Sequence, residues 1–255
     1  MPNVVRPYRK LMAVGCSHGK FIDDVASDSV LRFASAWKPD FRVHLGDVFD
    51  TAAMRSGAVG TSDEDESVMD DLDAGIGFLK SHEPTHLTLG NHDWRIWKLL
   101  NHHNGIVRDC ASECVKKIEA TTRAIKCHTY PYMGVWNATD PRGVCWIGDY
   151  RFMHGSWYGE NATRDYAERL GKVVHAHTHR AAMSKGRRDD SPTAFGTGCL
   201  MDPTKADYAN TRAATLSWSM GIVYGEVAVG RRPQCYLVLA ERPRGAKEWR
   251  IPGVC

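Results

Sequence analysis

No apolar run in the 255-residue chain is long enough to cross a bilayer, which takes about 20 consecutive residues, so a membrane-spanning helix is excluded. The chain also lacks a strong excess of one charge. Its 33 Lys and Arg stand against 30 Asp and Glu, a net +3. That is too little to imply nucleic acid by itself, and it argues against a large basic face. Internal repeats and long Pro-, Gly- or Ser-rich linkers are missing, so residues 1–255 are read as one domain. No apolar stretch follows the charged segment Met1 to Lys10, so no signal peptide is expected, and with it a cytoplasmic location. There the eight cysteines, Cys16, Cys110, Cys114, Cys127, Cys145, Cys199, Cys235 and Cys255, are expected as thiols. A chain of this length can bury a core without disulfide staples. The glycosylation patterns at Asn137 and Asn161 are uninformative in that setting. Histidine, by contrast, is plentiful. There are twelve, several of them clustered, which points to metal or acid–base chemistry.

Strand and helix signals alternate through the first hundred residues. Leu11 to Gly15 is short and apolar and stops at glycine, as a buried strand does. Ile22, Val25, Val30, Phe33 and Trp37 recur at roughly helical spacing, and Pro39 ends that helix. Phe41 to Leu45 reads as a strand, Thr51 to Ser67 as a polar loop, and Val68, Leu72, Ile76 and Leu79 as a helix face. His86 to Leu89 is a third strand, with a helix from Trp94. Such alternation favours an α/β fold with parallel strands. A helical insertion is expected around 101–128. Short strands follow at Val144 to Ile147, Arg151 to Met153, Val173 to Ala176, Gly221 to Val229 and Cys235 to Leu239, interrupted by a helix over Ala162 to Leu170. The tail from Arg242, basic and carrying Pro and Gly, is expected on the surface.

Five short patterns stand at or near the ends of these apolar strands: Cys16-Ser17-His18-Gly19, Gly46-Asp47-Val48-Phe49-Asp50, Gly90-Asn91-His92-Asp93, His154-Gly155 and His177-Thr178-His179. The carboxyl ends of strands in α/β sheets converge on one crevice, so residues distant in sequence meet there. A set of His, Asp, Asn and Cys suits a pair of transition metals better than magnesium. Each pattern alone has a bland reading. Gly-Asp is a common turn pair, a lone His is usually packed or at the surface, and a buried Cys is a small hydrophobe. Their order and shared context reverse those readings.

Taken together, the patterns resemble the calcineurin-like metallophosphoesterases over about residues 11 to 180. The family's order is Asp-x-His, Gly-Asp-x-x-Asp, Gly-Asn-His-Asp/Glu, a lone His and Gly-His-x-His. The resemblance implies a layered α/β sandwich with two central mixed β-sheets flanked by helices. It implies two divalent or transition metal ions, zinc, iron or manganese. Cys16, His18, Asp47 and His179 would hold the first, and Asp47, Asn91, His154 and His177 the second, with Asp47 bridging. His92 would be the general acid, oriented by Asp50, and a metal-activated hydroxide the nucleophile in phosphoester hydrolysis. Two departures stand out. Cys16 occupies the position of the family's Asp, a softer donor that favours zinc or iron. Ala176 replaces the Gly before His177, costly only where the turn requires a positive φ.

Thr51 follows Asp50 where protein phosphatases of the family carry Arg-Gly. This argues against phosphoprotein substrates, and diesters are favoured slightly over monoesters, a nucleotide or nucleic acid among them. Arg180 is the candidate phosphate contact. Trp157 and Tyr158 either line the pocket or belong to the core. Lys185 to Arg188 is read as a solvated turn before a phosphate-facing loop, and His44 and His86 as structural. Cys110, Cys114 and Cys127 with His128 or His102 lack the spacing of a standard zinc site and are read as free thiols before a structural one. Two other functional classes stay open: a non-catalytic binding scaffold on the same fold, and a nuclease-type DNA- or RNA-binding protein.

Overall fold

A computed structural model of the chain describes residues 7–134, 141–210, 213–230, 232–243 and 245–252. The Asn137 glycosylation pattern lies outside the described residues. The first strand, β1 (Tyr8–Val14), shows why the apolar segments read as they do. Leu11 and Ala13 face a second sheet, while Met12 and Val14 face a helix, and all four are fully buried. A strand covered on both faces needs a continuous apolar run rather than an alternating one.

Helix α1 (Asp24–Trp37) follows, capped by the Asp23 carboxylate accepting from the Ala26 N–H at 2.7 Å and closed by Lys38 in a left-handed turn before Pro39. The chain continues through β2 (Phe41–His44), α2 (Val68–His82), β3 (His86–Thr88), α3 (Asn91–Leu99), α4 (Gly105–Ala124) and β4 (His128–Tyr130). Strands β1, β2, β3 and β4 pair in parallel. The segment expected as a helical insertion thus holds α4, whose C-terminal end feeds β4 beside β3. Helix α3 begins three residues before the spacing indicates, which sets Asn91 and His92 on its first turn.

The second sheet contains β5 (Cys145–Ile147), β6 (Tyr150–Met153), β7 (Val173–His175), β8 (Ala181–Lys185) and β9 (Thr193–Thr197), in the order β5-β6-β7-β9-β8. Helix α5 (Ala162–Leu170) covers one face, burying Tyr166 against Met153 and Val173. After a short helix, α6 (Asp207–Asn210), the chain returns to the first sheet. There β10 (Gly221–Ala228) lies antiparallel between β1 and β11 (Cys235–Glu241). Both sheets are mixed, and the main core lies between them, joining Leu11, Val43, Leu45 and Val223 to Phe152, Val174 and Phe195. The two sheets with their flanking helices form the layered α/β sandwich that the resemblance implies.

The C-terminal tail differs from expectation. Trp249 and Ile251 are buried against α1, and Arg242 pairs with Asp23 at 2.8 Å. Two large apolar side chains outweigh the basic, Pro- and Gly-bearing composition that suggested a surface segment.

Candidate metal centre

Five loops at the carboxyl ends of β1, β2, β3, β6 and β7 meet on one edge of the two sheets. Backbone hydrogen bonds lock them together. The Cys16 N–H donates to the Gly46 carbonyl at 2.9 Å, the His18 N–H to the Asp47 carbonyl at 3.0 Å, and the Ala176 N–H to the His154 carbonyl at 3.0 Å. The loops are strained. Cys16, His18, Asp47, His177 and His179 all have positive φ, between 51° and 64°. Non-glycine residues take this conformation at a cost of order 1–3 kcal/mol each, and such strain gathers at functional sites. The positive φ falls on His177 itself, so Ala176 fits where the family has Gly. Its Cβ approaches Gly15, where an added Cβ would stand 2.7 Å from it. Gly90 likewise cannot carry a side chain, because a Cβ there would meet the Asp47 carboxylate at 2.1 Å.

The side chains converge into two groups sharing Asp47. Cys16, His18, Asp47 and His179 place ligand atoms within 4.8 Å of one another, and so do Asp47, His154 and His177. In the first group, His18 Nε2 lies 3.0 Å from His179 Nε2 and 3.9 Å from Asp47 Oδ2. In the second, His154 Nε2 lies 3.2 Å from Asp47 Oδ2, 3.2 Å from His177 Nδ1 and 3.1 Å from Asn91 Oδ1. Asp47 Oδ2 therefore faces both groups, while its Oδ1 accepts from the His92 N–H at 2.9 Å. His154 Nδ1 donates to the Leu45 carbonyl at 2.6 Å, and although burial lowers this ring's pKa, Asp47 outweighs it and raises it, so a cation at Nε2 would take the place of a proton.

This donor set fits a pair of cations. Imidazole nitrogens aimed at one another at 3.0 and 3.2 Å need either a shared proton or a positive ion between them. His177 is held at about 3 and His179 well below the ordinary histidine range, in both cases first by burial and then by a neighbouring imidazole. These rings stay neutral and offer lone pairs, as metal ligands must. Cys16 is pushed well above its usual value by burial and then by the charge of Asp47, so a cation is what would make it a thiolate there.

Around the groups stand residues whose chemistry spacing alone does not reveal. The Asp93 carboxylate accepts from the N–H groups of Gly90, Asp47, Val48 and Phe49 at 2.8 to 3.0 Å, tying the β2 and β3 loops together. Burial and the charge of Asp47 nevertheless push Asp93 up to about 6. Asp71 accepts from the N–H groups of Asp50 and Thr51, both at 3.0 Å. Asp50 Oδ2 lies 2.8 Å from His18 Nδ1 and accepts from the Tyr208 hydroxyl at 2.7 Å. It is 3.5 Å from His92 Nδ1, and that nitrogen lies closer, at 3.1 Å, to the Asp50 main-chain oxygen. Burial lowers the His92 pKa, but the carboxylates of Asp47 and Asp50 together outweigh it and hold it at about 9. Its side chain is 19% exposed, so the ring opens onto solvent beside the cluster.

The residues expected at the substrate behave differently. Arg180 donates to the Tyr158 and Gly159 carbonyls at 2.8 and 2.6 Å. Trp157 stacks on Tyr166 at 4.5 Å and packs against the α5 core, so of its two readings the core one applies. Tyr158 is 80% exposed. Arg95, which lies outside every motif, donates to the Asp50 and Thr51 carbonyls at 3.0 and 2.9 Å, beside His92. His44 is buried and bonded to Ser17 at 3.1 Å, in keeping with a structural role. Arg187 and Arg188 pair with Glu168 and Asp190, as a solvated turn does. Cys110, Cys114 and Cys127 form no disulfide.

The sequence pattern of the calcineurin-like phosphoesterases matches residues 9–181, and the chain belongs to that family. No curated protein matches it. Solved structures that resemble it include a single mutant of Vps29 from Entamoeba histolytica, 12% identical, covering 91% of this chain and 99% of that one at a TM-score of 0.39. YfcE, a phosphoesterase from E. coli, is 16% identical over 90% of this chain and 98% of its own, with a TM-score of 0.37. A phosphatase from Mycoplasma pneumoniae is 11% identical over 93% and 95%, with a TM-score of 0.44.

Proposed function

We propose that the chain hydrolyses phosphoester bonds at a two-cation centre, diesters in preference to monoesters. The observation that carries this reading is the convergence of two donor groups on the single carboxylate Asp47. Cys16, His18, Asp47 and His179 would hold one cation; Asp47, Asn91, His154 and His177 would hold the other. Two such cations, of zinc, iron or manganese, supply Lewis acidity and an activated water when bound. The chain's own residues do the rest. His92, protonated at neutral pH with a pKa of about 9 and open to solvent, delivers its proton to the departing oxygen. Asp50 holds His92 through its main-chain oxygen and His18 through its carboxylate, so one residue orients both rings. Arg95, held by the Asp50 and Thr51 carbonyls, adds a fixed positive charge beside His92.

A non-catalytic scaffold is the second reading. Its support is Cys16, which stands where the family pattern has Asp. Turnover of bis-p-nitrophenyl phosphate and p-nitrophenyl phosphate by anaerobically purified protein, with His92→Ala alongside, decides between them. The hydrolase reading expects faster diester turnover and a loss of about 10²–10⁴ in kcat in the variant. Absence of turnover with every divalent metal added would leave the scaffold reading in place.

A further inference from the structure

A groove of about 830 Å³ opens directly from Asn91 and runs along α3 between the loop after β2, the start of α2 and the first turn of α4. Its lining is of two kinds. Met54, Val59, Leu99 and Ile106 make it apolar, while Arg95 and Lys98 make it basic, and no Asp or Glu lines it. Val59 and Ile106, both in its lining, are each 81% exposed. Single exposed apolar residues are ordinary, but two in the lining of one groove leave it an uncovered apolar surface. Arg55, the other cation in the lining, is neutralised by Asp63. Arg95 and Lys98 have no carboxylate partner within 4.0 Å among the described residues.

Helical geometry gives the groove a scale. Asn91, Arg95 and Lys98 fall at i, i+4 and i+7, on one face of α3. At a rise of about 1.5 Å per residue, Arg95 lies roughly 6 Å and Lys98 roughly 10 Å along the helix from Asn91. Asn91 Oδ1 belongs to the donor group around His154, so that end of the groove is the cation site. A ligand held there and extending along α3 between the apolar side chains passes Arg95 before it reaches Lys98. Concave sites with apolar walls and a few placed polar groups are the usual form of small-molecule sites.

We propose that this groove binds the second ester arm of the substrate, and that the preferred substrates are phosphodiesters whose arm is apolar and ends in an anion within reach of Lys98. The inference rests on the hydrolase reading above. Lys98 takes the terminal anion, Arg95 stands between the two negative charges, and Val59 and Ile106 cover the arm.

The test compares p-nitrophenyl hexyl phosphate with p-nitrophenyl 6-carboxyhexyl phosphate, two diesters with the same leaving group, on the metal-loaded full chain. The carboxylate-bearing arm is expected to raise kcat/KM about tenfold, the effect of one charged contact of about 1.4 kcal/mol. Lys98→Ala is expected to bring that ratio to about one, and Ile106→Asp to raise KM for both arms at least about tenfold with kcat little changed. A wild-type ratio at or below one, or a ratio that survives Lys98→Ala, overturns the assignment. Calorimetry with the non-hydrolysable 6-carboxyhexyl methylphosphonate separates the two readings. Lys98-dependent binding without turnover of any diester supports the groove and removes the hydrolase; diester turnover without discrimination between arms removes the groove and leaves the hydrolase.

Discussion

At Cys16 a soft sulfur stands where the family pattern has a hard carboxylate, and the consequence is readable in the metal. A thiolate bonds zinc at about 2.3 Å, longer than a carboxylate, and disfavours magnesium and manganese relative to zinc or iron. Cys16→Asp is therefore expected to move metal content from zinc or iron toward manganese, measured by elemental analysis of protein grown in mixed metals. Unchanged metal identity would remove the thiolate from the ligand set. A second residue bears on stability. His82 is fully buried on Phe78, its two ring nitrogens lack partners among the described residues, and burial, then Arg42, holds it at about 3. Above about pH 6.5 both folded and unfolded chains keep this ring neutral, and it has no effect on pH dependence. Below that, the unfolded chain binds a proton the folded one refuses, so stability falls by about 1.4 kcal/mol per pH unit until about 3. Urea unfolding at pH 7 and pH 5 is expected to show about 2 kcal/mol more acid loss in the wild type than in His82→Phe; equal losses would refute it. At this scale the sequence was legible where chemistry sits in the side chain. The candidate ligands could be named because five patterns, each with a bland reading alone, follow the family's order, which the resemblance carries residue by residue. Asp93, Asp71 and Tyr208 could not be given roles, because they act by accepting or donating to groups that only the fold brings near.

Among the elements, β1, α1, β2, α2 and α5 were readable from apolar period and end signals, and they appear where those signals lie. Strands β8 and β9 were not. Ala181–Lys185 is an edge strand with much of its surface open, and Thr193–Thr197 is built of small residues around Phe195, so neither shows a long apolar run. The C-terminal tail misled for the opposite reason, since its Pro, Gly and Arg conceal two anchoring side chains. Trp249 is 4% exposed and packs with Val30, Phe33 and Tyr224 in one core cluster. Trp249→Ala is expected to destabilise the protein by about 3 kcal/mol, read as a lower urea midpoint at unchanged slope. A shift below about 0.5 kcal/mol would return the tail to the surface.

Across the whole molecule, the centre draws on both sheets. Cys16, His18, Asp47 and Asn91 come from loops of the first, His154, His177 and His179 from loops of the second. The alternation of strand and helix announced the parallel half of the first sheet. The pairing of two sheets came from the family resemblance, because period alone does not say which strands share a sheet. A metal bound at a centre shared by two sheets would add to stability as well as to chemistry, since a ligand that binds only the folded chain stabilises it. Metal stoichiometry tests most directly whether Asp47 joins two cation sites. Protein purified anaerobically is expected to hold about two zinc, iron or manganese ions per chain, and Asp47→Asn about one or fewer. No bound metal in the wild type, or two ions retained in Asp47→Asn, would contradict it.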